Sequence, residues 1–310
     1  YRYLWVSPGV DPAVREWARK MCPGSIGLAA FQINVLITQC FSFWFEPTMV
    51  ATFNYAVRLM ELPQGLFGIS LATYLLPTLA GLAAEKKHPE FRQTLGQGLG
   101  YLSFANLLAA ALALALAAPI VRLLFEHGKF GPDATLRVAL ALACLAPGLL
   151  MFSMNNILAR AFYALSDIQT PMKISLVCLG LNLGFAFWLV QSYREAGLAV
   201  ANTLSATLNL GLLLYALRRK LGRLELAGLN RALGVLVPNA ILAGGVAAAL
   251  SWLWERHLGH ATLGLKLGAV FAPGGVAGLG YWLLALGFKV PAAREMTELA
   301  WQRWRRRPRG

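Results

Sequence analysis

Charged residues are scarce in this sequence. Only 14% of the 310 residues are Asp, Glu, Lys or Arg, whereas soluble globular domains carry about 25%. The four cysteines and four histidines form no CxxC pair and no Cys/His spacing of a zinc site, so we expect neither a disulfide framework nor a metal centre. All four cysteines fall in apolar runs and serve there as small apolar residues. These shortages argue against a soluble globular domain.

Long apolar runs make up most of the sequence. Hydrophobic residues make up 57% of the chain, and apolar runs of about 20 residues or more predict transmembrane helices. Proline and glycine predict breaks at Pro63–Gly65, Pro147–Gly148 and Pro273–Gly275. We predict eight spans, over residues 21–45, 49–84, 97–125, 135–164, 172–192, 196–218, 232–254 and 264–288.

The formal net charge of +14 is distributed between the apolar runs. Most Lys and Arg fall in alternate connecting segments and in the tail after Lys289, and the positive-inside rule makes those segments and both termini cytoplasmic. Residues 11–20 predict an amphipathic helix on the inner membrane surface. The tail 301–310, basic with two tryptophans, could hold nucleic acid, but contact with anionic lipid is the favoured interpretation.

Two charged residues stand inside the second apolar run. Arg58 and Glu61 lie within residues 49–84, and ionisable residues at membrane depth indicate a functional site by default. The alternative is an internal ion pair, because residues three apart share a helix face. A second polar patch follows at Asn156 and Arg160, four residues apart on one face. There, Arg160 is close enough to the span's end to reach the headgroups. Asp167 is expected to cap a turn.

Six ordered motifs resemble the MurJ (MviN) family of lipid II flippases, in the MOP exporter superfamily. They are QIN at 32–34, YAVRLMELPQGLFG at 55–68, ATYLLPTL at 72–79, PIVRLLFEHGKF at 119–130, LARAFYALSDIQTPMKI at 158–174 and AGLAVANTLSATLN at 196–209. The family has fourteen transmembrane helices in two lobes. The resemblance implies an all-α integral membrane protein whose eight spans correspond to helices 7–14. The absent initiator Met at Tyr1 agrees with an N-terminal lobe that lies outside this sequence.

The resemblance also implies how the chain is divided. The divisions are a cytoplasmic amphipathic segment (1–20), a six-helix transport lobe (21–218), a basic cytoplasmic loop (219–231), two additional helices that form a candidate groove for a lipid tail (232–288) and a basic cytoplasmic tail (289–310). Tight packing of the last two helices without a groove is the alternative, since they are rich in Gly and Ala.

The family's substrate is an undecaprenyl diphosphate that carries a disaccharide pentapeptide, flipped across the bacterial inner membrane by alternating access. The resemblance therefore implies that Arg58 binds the diphosphate in a cavity with Glu61, Asn156 and Arg160, because an arginine fork suits phosphate oxygens. Implied partners are this lipid, membrane lipids and the missing lobe on the same or another chain. No cofactor, no nucleic acid and no enzymatic reaction are expected.

Some family members bind sodium in this lobe. Of that site, this sequence retains Asn182 and Asn202, whereas Thr38 and Ala186 stand at the carboxylate positions. A hard cation prefers charged oxygen ligands, so the resemblance implies at most a degenerate ion site at Thr38, Asn182 and Asn202. The asparagines would then make hydrogen bonds between helices.

Three other functions stay open from the sequence. A sister exporter of the same superfamily would move another polyprenyl-linked glycan or a drug. A membrane glycosyltransferase would need clustered carboxylates or histidines in an outer loop, and the short outer loops offer only scattered ones. A scaffold for cell-wall assembly that transports nothing is the third.

Overall fold

The computed structural model describes residues 32, 35–40, 42–222 and 227–305. Within them the chain is helical and contains no strand. The predicted amphipathic helix at 11–20 and most of the first predicted span lie outside the described residues, although 35–40 and 42–45 are helical. The helices, numbered over this part of the chain, are α1 (Pro47–Pro63), α2 (Ser70–Ala84), α3 (His88–Ala115), α4 (Ala117–Phe125), α5 (Pro132–Leu145), α6 (Gly148–Ala164), α7 (Gln169–Leu221), α8 (Ala227–His257), α9 (Leu263–Gly287) and α10 (Pro291–Arg305).

Length and hydropathy make this a multi-pass membrane protein. In the described ranges, five helical stretches are long and apolar enough to cross a bilayer, and the bent pair α5–α6 makes a sixth. The longest, α7, has 53 residues, about 80 Å at helical rise, which is more than twice the thickness of the hydrocarbon core. It therefore holds two of the predicted spans.

The two arms of α7 run antiparallel. At Arg194 the backbone is not helical (φ 49°, ψ −128°), and the Ser205 hydroxyl donates to the carbonyl of Cys178 at 2.7 Å across the hairpin. Beside the turn, a Cβ on Gly197 would lie 2.6 Å from the carbonyl carbon of Leu189. Only glycine lets the two arms approach this closely.

The predicted breaks have different outcomes. At Pro147–Gly148 the axes of α5 and α6 differ by 49°, as predicted. At Pro63–Gly65 the helix continues through a π-helical segment, Gln64–Ile69, that joins α1 to α2. The prediction at Pro273–Gly275 was wrong, because α9 is continuous through it. A Cβ on Gly274 would lie 3.5 Å from Cδ1 of Leu116, so the helix packs closely on the start of α4 at this point.

The third predicted span, 97–125, does not form one helix. Instead α3 begins at His88 and ends at Ala115, and Leu116 (φ −108°, ψ 19°) separates it from α4. Pro119 explains the break, since a proline ring clashes with the carbonyl four residues earlier, which is that of Ala115.

The terminal pair α8–α9 packs closely on α3. Tyr281 is buried and its hydroxyl donates to the carbonyl of Phe104 at 2.9 Å, while the Asn239 side chain donates to the carbonyl of Tyr281 at 3.0 Å. A Cβ on Gly244 would lie 3.5 Å from the Cβ of Ala111. This part of the 232–288 division is tightly packed; the lipid-tail groove stays a prediction.

Candidate functional site

Arg58 lies on the exposed face of α1. The opposite face buries Ala56, Leu59 and Met60 in an apolar cluster with α4 and α5. Within the described part of the chain, the Arg58 side chain makes no hydrogen bond or ion pair, and the same holds for Glu61, which is also exposed. The internal Arg58–Glu61 ion pair that the spacing allowed is therefore not formed.

The exposed face of Arg58 continues through the π-helical segment into α2. Its residues are mostly apolar, and Leu62, Leu66 and Tyr74 are 68%, 67% and 74% exposed. Pro63 lacks an N–H group and Gly65 has open space around it, which suits a local change of helical pitch. The segment is held against α6, where a Cβ on Gly68 would lie 2.8 Å from the Oγ of Ser153.

The polar patch on α6 contacts α2, beyond the π-helical segment that follows α1. Arg160 donates from Nη1 to the hydroxyl of Thr73 on α2 at 2.7 Å, so its side chain turns towards α2. Asn156, half-buried one turn earlier, shares its face as predicted. Arg58 and Thr73 are fifteen positions apart, about 22 Å at helical rise. The predicted site residues thus lie at two depths on two neighbouring helices, with Arg58 and Glu61 on α1 and Asn156 and Arg160 on α6.

The residues at the predicted ion site do not fit a hard cation. Asn182 is buried and its Oδ1 has no hydrogen-bond partner, but Asn202 donates to the carbonyl of Leu198 in its own helix. Ala186, at a carboxylate position, packs in an apolar cluster with Leu198 and Met49. Thr38 is half-buried and brings no carboxylate. A single orphaned amide oxygen beside apolar neighbours lacks the charged ligands that sodium would need.

An ion-pair network that the sequence did not predict, the Arg137 network, is centred on Arg137 of α5. Its guanidinium lies between two carboxylates, with Nε 2.6 Å from Glu195 Oε1 and Nη1 2.6 Å from Glu46 Oε1. Arg194 adds a contact of 3.2 Å to Glu46. Hydrogen bonds from Arg137 and Thr48 lower the pKa of Glu46 to about 2. The network joins Glu46, the residue before α1, to α5 and to the turn of α7.

A second ion-pair network, centred on Arg122, lies at the same end and was not predicted either. Arg122 and Arg137 are each isolated charges within apolar runs, which is the signal that indicated Arg58. Arg122 of α4 pairs with Glu255 of α8, and its Nε is 3.6 Å from Glu126 Oε2. Lys266 of α9 donates to the carbonyl of Glu126 at 3.2 Å. These contacts fasten both terminal helices to α4.

At the other end of the bundle, Asp167 has the turn role expected of it. Its carboxylate accepts hydrogen bonds from the backbone N–H and hydroxyl of Thr170, at 3.0 and 2.8 Å, and lies 2.7 Å from Lys220 Nζ. Burial raises the pKa of this carboxyl, but the hydrogen bonds from Lys220 and Thr170 outweigh it and leave the pKa below its usual value.

A protein-family model described as lipid II flippase MurJ matches residues 4–267. The chain belongs to the MurJ family. A probable lipid II flippase MurJ of Haemophilus influenzae is 32% identical over 255 residues, which cover 80% of this chain and 49% of that protein. A lipid II flippase MurJ of Burkholderia cenocepacia is 35% identical over 212 residues, covering 67% of this chain and 40% of that protein.

The fold agrees with this membership. A solved structure of a lipid II flippase MurJ in an inward closed conformation matches with a TM-score of 0.69 at 18% identity, covering 93% of this chain and 56% of that one. The chain corresponds to the C-terminal part of its MurJ relatives and spans about half their length. The family membership confirms the all-helical flippase fold that the motifs implied.

Proposed function

We propose that this chain is the C-terminal part of a flippase that moves lipid II from the inner to the outer leaflet of the bacterial cytoplasmic membrane. The observation that carries the proposal is Arg58, exposed and without a partner in the described part of the chain, on a membrane-spanning helix that continues into a π-helical segment. Charge at this depth is costly unless it faces a wet cavity or an anion. A diphosphate supplies the anion, and a second lobe would close the cavity.

The site residues have graded roles in this proposal. Arg58 binds the diphosphate through parallel hydrogen bonds, and Glu61, three residues away, orients it before substrate enters. Asn156 and Arg160, on the neighbouring helix α6, lie closer to the end of the span and contact the head group at another stage of transport. The π-helical segment Gln64–Ile69 follows Arg58 and Glu61 directly, and such segments are frequent at functional sites.

Alternating access would then move this lobe against the other one. The end with the Arg137 network carries acidic residues, whereas Lys86, Lys87, Arg218 and Arg219 lie at the opposite end. The positive-inside rule makes that opposite end cytoplasmic, so both termini of this chain face the cytoplasm. The process is transport, and the chain performs no bond-making chemistry in it.

Membrane potential supplies a driving force that needs no sodium site. A diphosphate carries roughly two negative charges, and an inside-negative potential favours outward movement of each by about 2.3 kcal/mol per 100 mV. We expect flipping in proteoliposomes to accelerate when the substrate side is made negative. A rate that ignores the imposed potential would remove this driving force from the proposal.

The test of the function is rescue of a flippase-depleted strain by the full-length gene product. We expect the unmodified protein to rescue, Arg58→Ala to fail while reaching the membrane in normal amount, and Arg58→Lys to rescue weakly because it keeps the charge but loses the fork. Arg231→Ala, at an exposed position of α8, is the matched control and should rescue fully.

Each failure has a distinct meaning. Full rescue by Arg58→Ala would make Arg58 a structural charge and remove it from the cavity. No rescue by a well-expressed unmodified protein would favour a sister exporter or a scaffold for cell-wall assembly.

A further inference from the structure

A cavity of about 260 Å³ opens between α3, the first turns of α8 and the start of α10. It lies away from Arg58, and none of the proposed transport residues lines it. Its size is slightly below the range of about 300–1,000 Å³ of small-molecule sites. A volume of this kind suits a small polar head group more than a whole lipid or a peptide.

We place the cavity near the lipid head groups, because its α3 lining comes from the first half of that helix and its other walls are the starts of α8 and α10. Helix α3 has 28 residues, about 42 Å, which exceeds the hydrocarbon thickness of about 30 Å, so its first turns emerge from the apolar zone. Tyr101 in the wall and Trp282 beside α10 are residues that favour this boundary. Because α8 and α10 also begin here, all three walls are helix ends.

The walls are fixed in place by side-chain bonds. The Tyr101 hydroxyl of α3 donates to the carboxylate of Glu295 on α10, and Trp282 Nε1 donates to the hydroxyl of Thr297 at 3.1 Å. Val290, just before α10, is 3% exposed and gives one wall an apolar base. The cavity is therefore preformed.

The polar groups of the lining are of two kinds. Glu295 uses one carboxylate oxygen for Tyr101, and its other oxygen has no partner among the described residues, so it can accept from a cation. Gln93 and Gln97, one turn apart on α3, carry amide donors without side-chain partners in the same part of the chain. Gly228 in the first turn of α8 adds the positive end of a 31-residue helix.

We propose that this cavity binds a phospholipid whose head group joins a phosphate to a primary ammonium. The ammonium donates to Glu295, and the phosphate accepts from the glutamine amides at the positive end of α8. A purely anionic head group would be repelled by Glu295. A quaternary head group has no N–H to donate to it.

The test measures lipid binding to the purified full-length protein by native mass spectrometry, with phosphatidylethanolamine, phosphatidylcholine and phosphatidylglycerol of identical acyl chains. We expect phosphatidylethanolamine to bind about tenfold more tightly than the other two, the factor of one charge-assisted hydrogen bond. Glu295→Gln should remove that preference, whereas Glu298→Gln, exposed on the same helix, should keep it.

A second pair of variants separates the cavity from the charge. Gly100 lines the cavity and has open space at its Cβ position, so Gly100→Leu should fill the cavity and abolish the preference without unfolding the protein. Gly280→Leu, with equal space on α9 outside the lining, is its control. Equal affinity for the three lipids, or a preference that survives either Glu295→Gln or Gly100→Leu, would overturn the proposal. Transport is not the readout, so this result is independent of the proposed function.

Discussion

Arg137 holds Glu195 through two parallel hydrogen bonds, from Nε to Oε1 at 2.6 Å and from Nη2 to Oε2 at 3.0 Å. Only 4% of Glu195 is exposed, so this carboxylate depends on Arg137 for its counter-charge. The same guanidinium also bonds to Glu46, the residue before α1. Arg137 therefore fixes the start of the helix that carries Arg58.

Removal of Arg137 should destabilise the protein strongly. Arg137→Ala leaves the Glu195 charge buried and unpaired, and we expect the free energy of unfolding to fall by about 3–5 kcal/mol, measured as denaturant unfolding in detergent. The control is Arg194→Gln, because the Arg194 side chain is 70% exposed and such ion pairs contribute less than about 1 kcal/mol. Equal losses in the two variants would mean that Glu195 is not held by Arg137.

Stability should fall in acid through Glu46. Its pKa is lowered from 4.5 to about 2 in the folded protein by hydrogen bonds from Arg137 and Thr48, so the unfolded chain takes up this proton first. The contribution is complete above about pH 4.5 and is lost as the pH falls towards 2. Unfolding midpoints measured from pH 7 to 3 should decline less steeply for Glu46→Gln. Identical slopes would refute the linkage.

The close approach at Gly197 should not tolerate a methyl group. In Gly197→Ala the new Cβ would meet the backbone of Leu189, which cannot move aside as a side chain can, and we expect a loss of at least about 2 kcal/mol. Gly184→Ala is the control in the same helix, since its Cβ position is open. Helix propensity makes that change neutral or stabilising by up to about 1 kcal/mol. Thermal unfolding of both variants checks the contrast.

A disulfide between α3 and α8 should leave transport intact. The Cβ positions of residues 111 and 244 are 3.5 Å apart, within the range of natural disulfides, so Ala111→Cys with Gly244→Cys should cross-link on oxidation. The hydrogen bonds of Tyr281 and Asn239 and the contacts of Glu255 and Lys266 with residues 122 and 126 fasten this pair to the lobe, and we expect the pair and the lobe to move together. Rescue of the depleted strain that fails only under oxidising conditions would contradict this.

Two of the three predicted proline breaks, at Pro147 and at Pro273, have opposite outcomes. At Pro147 the chain bends, and the Thr203 hydroxyl donates to the carbonyl of Cys144 at 3.2 Å, which supplies a partner to a carbonyl near the break. At Pro273 the helix continues, with Gly274 packed on Leu116 and Gly278 on Leu108. The difference arises from neighbours distant in sequence, which local propensity cannot report.

The candidate site was predictable only in part. An isolated Arg in an apolar run marked Arg58, and the motif resemblance assigned it a substrate. The same pattern at Arg137 and Arg122 has a structural outcome, because carboxylates from other helices reach those two and none among the described residues reaches Arg58. The sequence shows that a charged side chain lies in an apolar run and is costly to bury. Whether a carboxylate from another helix pairs with it depends on the fold.

The turn at Arg194 has a practical consequence for mapping this protein from outside a cell. Because α7 reverses direction through one non-helical residue, this turn has no loop. It is too short to accept an inserted epitope, to be cut by a protease or to be scanned with labelled cysteines. The neighbouring turns at Gly128 and Gly259, both with positive φ, are better places for such reporters. An epitope inserted there would reveal which side of the membrane this end occupies.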